Sequence, residues 1–355
     1  MQIHNNFNLT HKCSFLGTSQ KEINVANLVD EKNMVDTFIT MVKMDTSSNE
    51  RKASFQTPTS HGQRVFANWL KEVLIKLNVE NVKLDDNCFL TGKIPSNIDL
   101  KLPIIALLAH MDTKKPGKNV SPQIHNYKNG PIFLENGEEI PEYNLIDHQN
   151  KKIITTNGET ILGADDKAGI AEILETIRLL KDNPDIKHPE IKLVFTPDEE
   201  CGGYSAIQKF DVKEFGADYG YTIDGDAPHI VEKENYFDPN MLIAIVKHQL
   251  SGLIHSGVSK TEAEKYKKLL NNQEGLSRVY EYAIEGLKKS DIEPEIMHIR
   301  EVTDGSYLSA HGLPTVNLGT GGYLRHTVHE FAVVEDMKKC IENIINILSV
   351  WAKNE

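Results

Sequence analysis

Five short polar strings, each set where an apolar run stops, constrain this chain more than any other feature. His-Met-Asp stands at 110–112, Gly-Ala-Asp-Asp-Lys at 163–167, Pro-Asp-Glu-Glu at 197–200, Ile-Asp-Gly at 223–225 and His-Thr-Val-His-Glu-Phe at 326–331. The runs Leu102 to Ala109, Ile191 to Thr196 and Tyr219 to Ile223 are too short for buried helices and read as interior strands. Apolar residues at helical spacing cover 31–43, 62–78, 168–180, 275–289 and 335–352, and 241–248 reads as a further strand. This alternation predicts an α/β fold, a mixed and largely parallel sheet flanked by helices. His110 and Asp112, Glu199 and Glu200, and Asp224 then fall just beyond strand carboxyl ends, the edge where open α/β sheets place ligands. Asp165 precedes a helix, where a carboxylate can also cap free N–H groups.

Composition removes several alternatives. A net charge of −12 leaves no basic face for nucleic acid or an anionic membrane. No run approaches the eighteen or so apolar residues of a membrane span. Four scattered cysteines, Cys13, Cys88, Cys201 and Cys340, form no C-x-x-C pair and point to a reducing compartment, so a cytoplasmic enzyme is expected. Cys201 follows the Glu-Glu pair, but no histidine partner is evident near it, and it reads as a small space-filling residue. Gly319-Thr-Gly-Gly322 lacks the lysine and helix context of a phosphate loop and reads as a flexible loop beside the site.

Two imidazoles and three carboxylates, His110, Asp165, Glu200, Asp224 and His329, are the ligand mix that two zinc-like cations sharing a carboxylate need. His110 would ligate through one ring nitrogen while Asp112 fixes its tautomer. Three successive acids at 198–200 repel one another, which a cation or a raised pKa explains. Glu200 then coordinates and Glu199 moves the proton of an attacking water. On spacing alone either His326 or His329 could ligate.

These strings, with Gly-Lys-Asn-Val-Ser-Pro-Gln-Ile at 117–124, Ile-Glu-Pro-Glu at 292–295 and Thr-Asp-Gly at 303–305, resemble the peptidase T group of the co-catalytic zinc peptidases. The resemblance spans roughly 29–248 and 275–352. It implies that Asp165 bridges two metals, with His110 and Asp224 on one and Glu200 and His329 on the other. It implies Glu199 as general base, Asp112 as the orienting residue, and His329 as ligand because Glu-Phe follows it. Two Zn2+ ions are implied, with cobalt or manganese as substitutes, and a short peptide is the implied partner.

The resemblance also implies a separate lid domain between the fourth ligand and the late helices. Here Asp224 and Asp304 lie only 80 positions apart, too close to hold one of ordinary size beside the expected strand and helix. The expected division is therefore a flexible extension over 1–28, a catalytic domain over 29–248 and 275–355, and a lid remnant over 249–274. That remnant contains His255, read as a surface histidine, and a monomer or altered dimer follows from its shortness. The leading expectation is a tripeptide aminopeptidase. Its rivals are a catalytically weakened metal- and peptide-binding relative, and a deacylase or carboxypeptidase of the same family.

Overall fold

The computed structural model describes residues 25–115, 117–201, 204–233, 273–298 and 303–353. Helix α1 (Glu31–Val42) starts at Asp30, whose carboxylate accepts from the Asn33 N–H at 3.0 Å and so satisfies one of the helix's free donors. It is followed by α2 (His61–Lys76), β1 (Glu80–Leu84), β2 (Leu90–Ile94) and β3 (Ile105–His110). Short strands β4 (Gln123–Asn126), β5 (Ile132–Phe133), β6 (Glu139–Ile140) and β7 (Lys152–Thr155) come next, then the long helix α3 (Ala164–Asp182). The chain continues through β8 (Ile191–Thr196), α4 (Tyr204–Ile207), α5 (Val212–Phe215), β9 (Tyr219–Gly225) and β10 (Ile230–Lys233). The last described part holds α6 (Gln273–Lys289), β11 (Glu295–His298), α7 (Asp304–Ala310), β12 (Thr315–Gly319), β13 (Gly322–Tyr323), β14 (Phe331–Val333) and α8 (Val334–Trp351).

The large sheet runs β1-β2-β8-β3-β9-β12-β10-β11. Its centre, β8-β3-β9-β12, is parallel, and β1, β2 and β10 add antiparallel pairings, so the mixed, largely parallel sheet expected from the apolar runs is present. Alternate side chains of β3 separate the two faces. Ile105, Leu107 and Ala109 join the larger core with α1, α2, α3, α6 and α8, while Ala106 and Leu108 join a smaller one with Ala206 and Ile207 of α4 and Leu308 of α7. Most of α3 is buried, and it lies so close to β9 that a Cβ on Gly169 would meet the Ile223 carbonyl oxygen at 1.9 Å. A smaller sheet, β13-β14-β7-β4, was not apparent from apolar periodicity, because its strands are two to four residues long.

Boundaries moved in ways that matter for the site. His110 is the last residue of β3 and Asp224 lies within β9, rather than just beyond these strands. The expected extension through residue 28 ends too late, because Val25 is buried and Leu28 packs on the core, with its carbonyl bound by Arg178 at 3.0 Å. The expected strand at 241–248, and nearly all of the lid remnant with His255, lie outside the described residues.

Candidate metal centre

The centre begins with parallel pairing. Register aligns His110 with Thr196, so the ends of β3 and β8 arrive together, and Leu108 pairs with Thr222 two residues before Asp224. Asp112 then ties the loops. Its buried carboxylate accepts the Glu199 N–H at 2.9 Å and the Glu200 N–H at 3.1 Å, and it lies 3.5 Å from His110 Nδ1. His110 Nδ1 also lies 3.0 Å from the Asp112 carbonyl. A proton on Nδ1 satisfies that acceptor and turns the Nε2 lone pair toward the carboxylates.

Asp165 stands at the middle. Its Oδ1 lies 2.8 Å from His110 Nε2 and its Oδ2 2.9 Å from His326 Nε2. It is placed by two non-helical residues, Asp165 and Asp166, at the head of α3, after Gly163 in the left-handed region at φ +76°. The next carboxylate, Asp166, accepts the His110 N–H at 3.0 Å and the Gly169 N–H at 3.2 Å, binding strand end to helix start. Glu200 reaches His326 Nε2 at 2.8 Å through Oε1 and Lys114 Nζ at 3.3 Å through Oε2. Asp224 Oδ1 lies 3.7 Å from His110 Nε2. The third acid of the 198–200 run is diverted: Asp198 is buried against α2, accepting from the Thr59 backbone N–H and hydroxyl and from Gln63.

The two late histidines separate here, and the ligand choice implied by the resemblance is corrected. His326, not His329, meets the carboxylates. His329 Nε2 instead lies 2.8 Å from Glu138 Oε2, beside the β5-β6 ribbon. The cause is the β13-β14 turn, where Leu324 and His326 adopt positive φ of 54° and 64° and fold the imidazole inward.

Electrostatics follow from crowding. Loss of solvent, with the Asp224, Asp304 and Glu200 charges, pushes the Glu199 carboxyl well above its usual range. Burial and the Asp165 charge push Asp224 up to about 6. Hydrogen bonds to Asp165 and Glu200 lift His326 to about 10. Burial opposes charge on His110, but the Asp224 charge and hydrogen bonds with Asp112, Asp165 and Asp224 together outweigh it, so His110 is also raised. Asp165 is likewise buried, yet its bonds to the two imidazoles hold it well below the usual carboxylate range.

A cation fits this donor set. One ligand atom each from His110, Asp165 and Glu200 lie within 4.8 Å of one another, and so do those of His110, Asp166 and Asp224. That span suits donors about 2 Å from a shared centre. Asp166 already accepts two backbone N–H groups, which marks it as a strut.

Three functional neighbours escaped the sequence reading. Glu330 is buried and accepts the Gly163 N–H at 2.7 Å and the Asp165 N–H at 3.1 Å, steadying the head of α3. Arg325 lies beside Asp165, Asp224 and Asp226. Asp304 heads α7 and lines a small cavity with His110, Thr196, Glu199 and Asp224. Burial pushes its carboxyl up to about 7, against the opposing pull of a hydrogen bond with the Thr196 side chain. Glu330 had a sequence signal in the His-Glu-Phe string, and Asp304 in Thr-Asp-Gly. Arg325 had none.

The loop bearing His326 is anchored from behind. Tyr323 donates to Asp336 Oδ2 at 2.7 Å, and Lys151 donates to Oδ1 at 2.7 Å. His148 Nδ1 lies 3.3 Å from Asp336 and its ring packs on Tyr323. Through these contacts α8 and the smaller sheet fix the start of the turn.

Residues 156–349 match the family model of peptidase family M20/M25/M40. A Vibrio parahaemolyticus protein named Peptidase T is 34% identical over 412 residues, covering 91% of this chain and 99% of that protein. Among solved structures, the aminopeptidase PepT of Bacillus cereus superposes with a TM-score of 0.64 at 20% identity, covering 92% of this chain and all of that one. The Bacillus subtilis YXEP protein, described as a dinuclear metal-binding peptidase of the M20 family, superposes with a TM-score of 0.54 at 13% identity, covering 92% and 99%. The two structural likenesses establish the fold. Among the described residues no helix is long and apolar enough to cross a membrane.

Proposed function

This chain belongs to peptidase family M20/M25/M40 and is a metallopeptidase, and from that premise we propose that it removes the N-terminal residue of short peptides. The observation that carries this reading is Asp165, with one oxygen toward His110 and the other toward His326. A carboxylate so placed is suited to bridge two ions. His110 and Asp224 would hold one of them, and Glu200 and His326 the other. Zinc suits these nitrogen and oxygen donors, and cobalt or manganese could replace it. Bound there, the ions would supply a Lewis acid for the scissile carbonyl and make an attacking water acidic near neutral pH.

The chain's own residues do the rest. Glu199 faces the same cavity as His110 and Asp224, which places it to take a proton from an attacking water. The carboxyl so formed returns that proton to the departing amine nitrogen. Asp112 holds the Glu199 and Glu200 backbone and the His110 ring in one arrangement.

A second reading has one observation behind it. The 412-residue match takes in only 91% of this 355-residue chain, so the Vibrio relative carries tens of residues with no counterpart here. Residues 249–274 would be what is left of the lid expected in that span. If the missing part positions substrate, the chain binds metal and peptide with little turnover, because misplacement is costly. One assay separates the readings: purified protein with zinc or cobalt against di-, tri- and tetrapeptides, with Glu199→Gln as control. Release of the N-terminal residue that falls about 10²–10⁴-fold in the control supports the aminopeptidase. Bound metal with no cleavage supports the binder.

A further inference from the structure

Asp224 stands where the ladder between β9 and β12 breaks. Thr222 pairs with Asn317 and Ile223 with Leu318, but the next pair is Gly225 with Gly319, so Asp224 is an extra residue with none opposite. A bulge of this kind leaves its extra residue off the ladder and re-aims the side chain. Here Asp224 Oδ1 comes to 3.7 Å from His110 Nε2. The strands leave little slack at this point, because a Cβ on Gly225 would meet the Leu318 carbonyl oxygen at 2.9 Å.

Side chains supply what the ladder does not. The Asp224 N–H donates to Asn317 Oδ1 at 3.1 Å, and the Asp224 carbonyl accepts from Arg325 Nη1 at 2.7 Å. Asn317 Oδ1 also accepts from the Thr222 hydroxyl at 2.9 Å, which occupies both of its lone pairs. A backbone N–H can only donate, so the amide must keep its oxygen on this side and its NH2 on the other. There Glu232 Oε2 accepts from Asn317 Nδ2 at 2.5 Å. The register sets Asn317 directly between Thr222 on β9 and Glu232 on β10. The three are 5%, 2% and 6% exposed, a buried polar row that crosses three strands and ends at Asp224. An acid buried this far is unfavourable unless its hydrogen bonds give something back. What Glu232 gives is direction: an ionised carboxylate only accepts, so it fixes which way the amide faces.

Resting on the dinuclear reading above, we propose that Asn317 and Glu232 are positioning residues for the reaction: Glu232 sets the direction of the Asn317 amide, and the amide holds the bulge that presents the Asp224 carboxylate to the metal. Neither residue touches the ion or the peptide. Without Asn317 the Asp224 N–H loses its acceptor. Without Glu232 the amide is free to turn its NH2 toward that N–H, and the bulge is pushed out of place. A carboxylate displaced by about 1 Å is enough to lower turnover by about 10²-fold.

The test loads metal-free full-length protein with Co2+ and records the visible spectrum of the bound ions beside kcat for a tripeptide. The wild type, Asn317→Leu, Glu232→Met and the double variant Asn317→Asp/Glu232→Gln are compared, with circular dichroism to confirm folding. The double variant keeps an acceptor toward the Asp224 N–H and reverses the bond between positions 317 and 232. Asn317→Leu should lose about 10²-fold in kcat and Glu232→Met about tenfold, each with a changed Co2+ spectrum at saturation. The double variant should keep the wild-type spectrum and a kcat within about threefold. A role in stability alone would lower the melting temperature and leave the spectrum of the folded protein as it was. An unchanged spectrum in either single variant, or a double variant no better than Asn317→Leu, overturns the proposal and leaves the dinuclear reading standing. If Asn317→Leu does not fold, Glu232→Met and the double variant carry the same test, and if the wild type binds Co2+ without turnover the spectra alone decide. A wild type that takes up no Co2+ sinks the dinuclear reading and this inference with it.

Discussion

Two regions build the centre by different means. The ends of β3, β8 and β9 bring His110, Glu200 and Asp224 together through the register of a parallel sheet, in which every residue is placed by its neighbours' hydrogen bonds. The turn between β13 and β14 brings Arg325, His326 and Glu330 through backbone with positive φ, held by a small second sheet and by Asp336. The first kind of placement is written in apolar runs that can be read one residue at a time. The second depends on contacts between residues far apart, Tyr323 with Asp336 and Gly163 with Glu330. Regular structure makes a site predictable, and irregular structure makes it particular.

The support under each region can be broken in turn. Asp112→Ala, beneath the strand ends, leaves the Glu199 and Glu200 N–H groups without their acceptor and frees the His110 ring. Peptidase activity should fall about 10²-fold or more, read as kcat/KM at saturating zinc. Activity within a few-fold of wild type would show that the strand ends hold themselves.

Glu330→Gln, beneath the turn, keeps one acceptor oxygen and sets an amide against a backbone N–H. Metal affinity should fall about 10-fold, and stability by about 1–3 kcal/mol, seen in chemical denaturation of the metal-free protein. A change confined to activity, with neither quantity moving, would contradict the role of Glu330 as a prop.

The smallest effect is expected at Asp336→Asn. Burial raises the Asp336 carboxyl, but bonds from His148, Lys151 and Tyr323 outweigh it, and the group ionises more readily in the folded chain than in the unfolded one. Its contribution is therefore present above the unfolded carboxylate value of about 4 and fades as the pH falls below it. The variant should lose about 2 kcal/mol at neutral pH, with the gap to wild type closing in acid. A gap that stays constant down to pH about 3 would mean that charge at Asp336 is irrelevant.

Much was legible in the sequence because buried parallel strands cannot hide. The runs before His110, Glu199 and Asp224 gave the sheet and the edge where acids collect, and 191–196 is the strand as expected. The distinction between His326 and His329 was not legible. Three residues apart on an irregular turn, their directions are set by positive φ at Leu324 and His326, which residue type does not announce. Within the His-Glu-Phe string it is Glu330 that bonds the head of α3, while His329 faces Glu138. Asp198 was grouped with Glu199 and Glu200 only because it adjoins them, and nothing in the local string shows that Thr59 and Gln63 draw it away.

The account's central claim is that the turn, and not sequence adjacency to Glu-Phe, selects the second imidazole. His326→Ala and His329→Ala should be prepared side by side, and the zinc retained after dialysis against a weak chelator measured for each. We predict that His326→Ala loses at least one ion and about 10²-fold or more in peptidase activity, while His329→Ala keeps wild-type metal content and activity within about threefold. The reverse pattern, with metal lost in His329→Ala and kept in His326→Ala, would contradict the arrangement described.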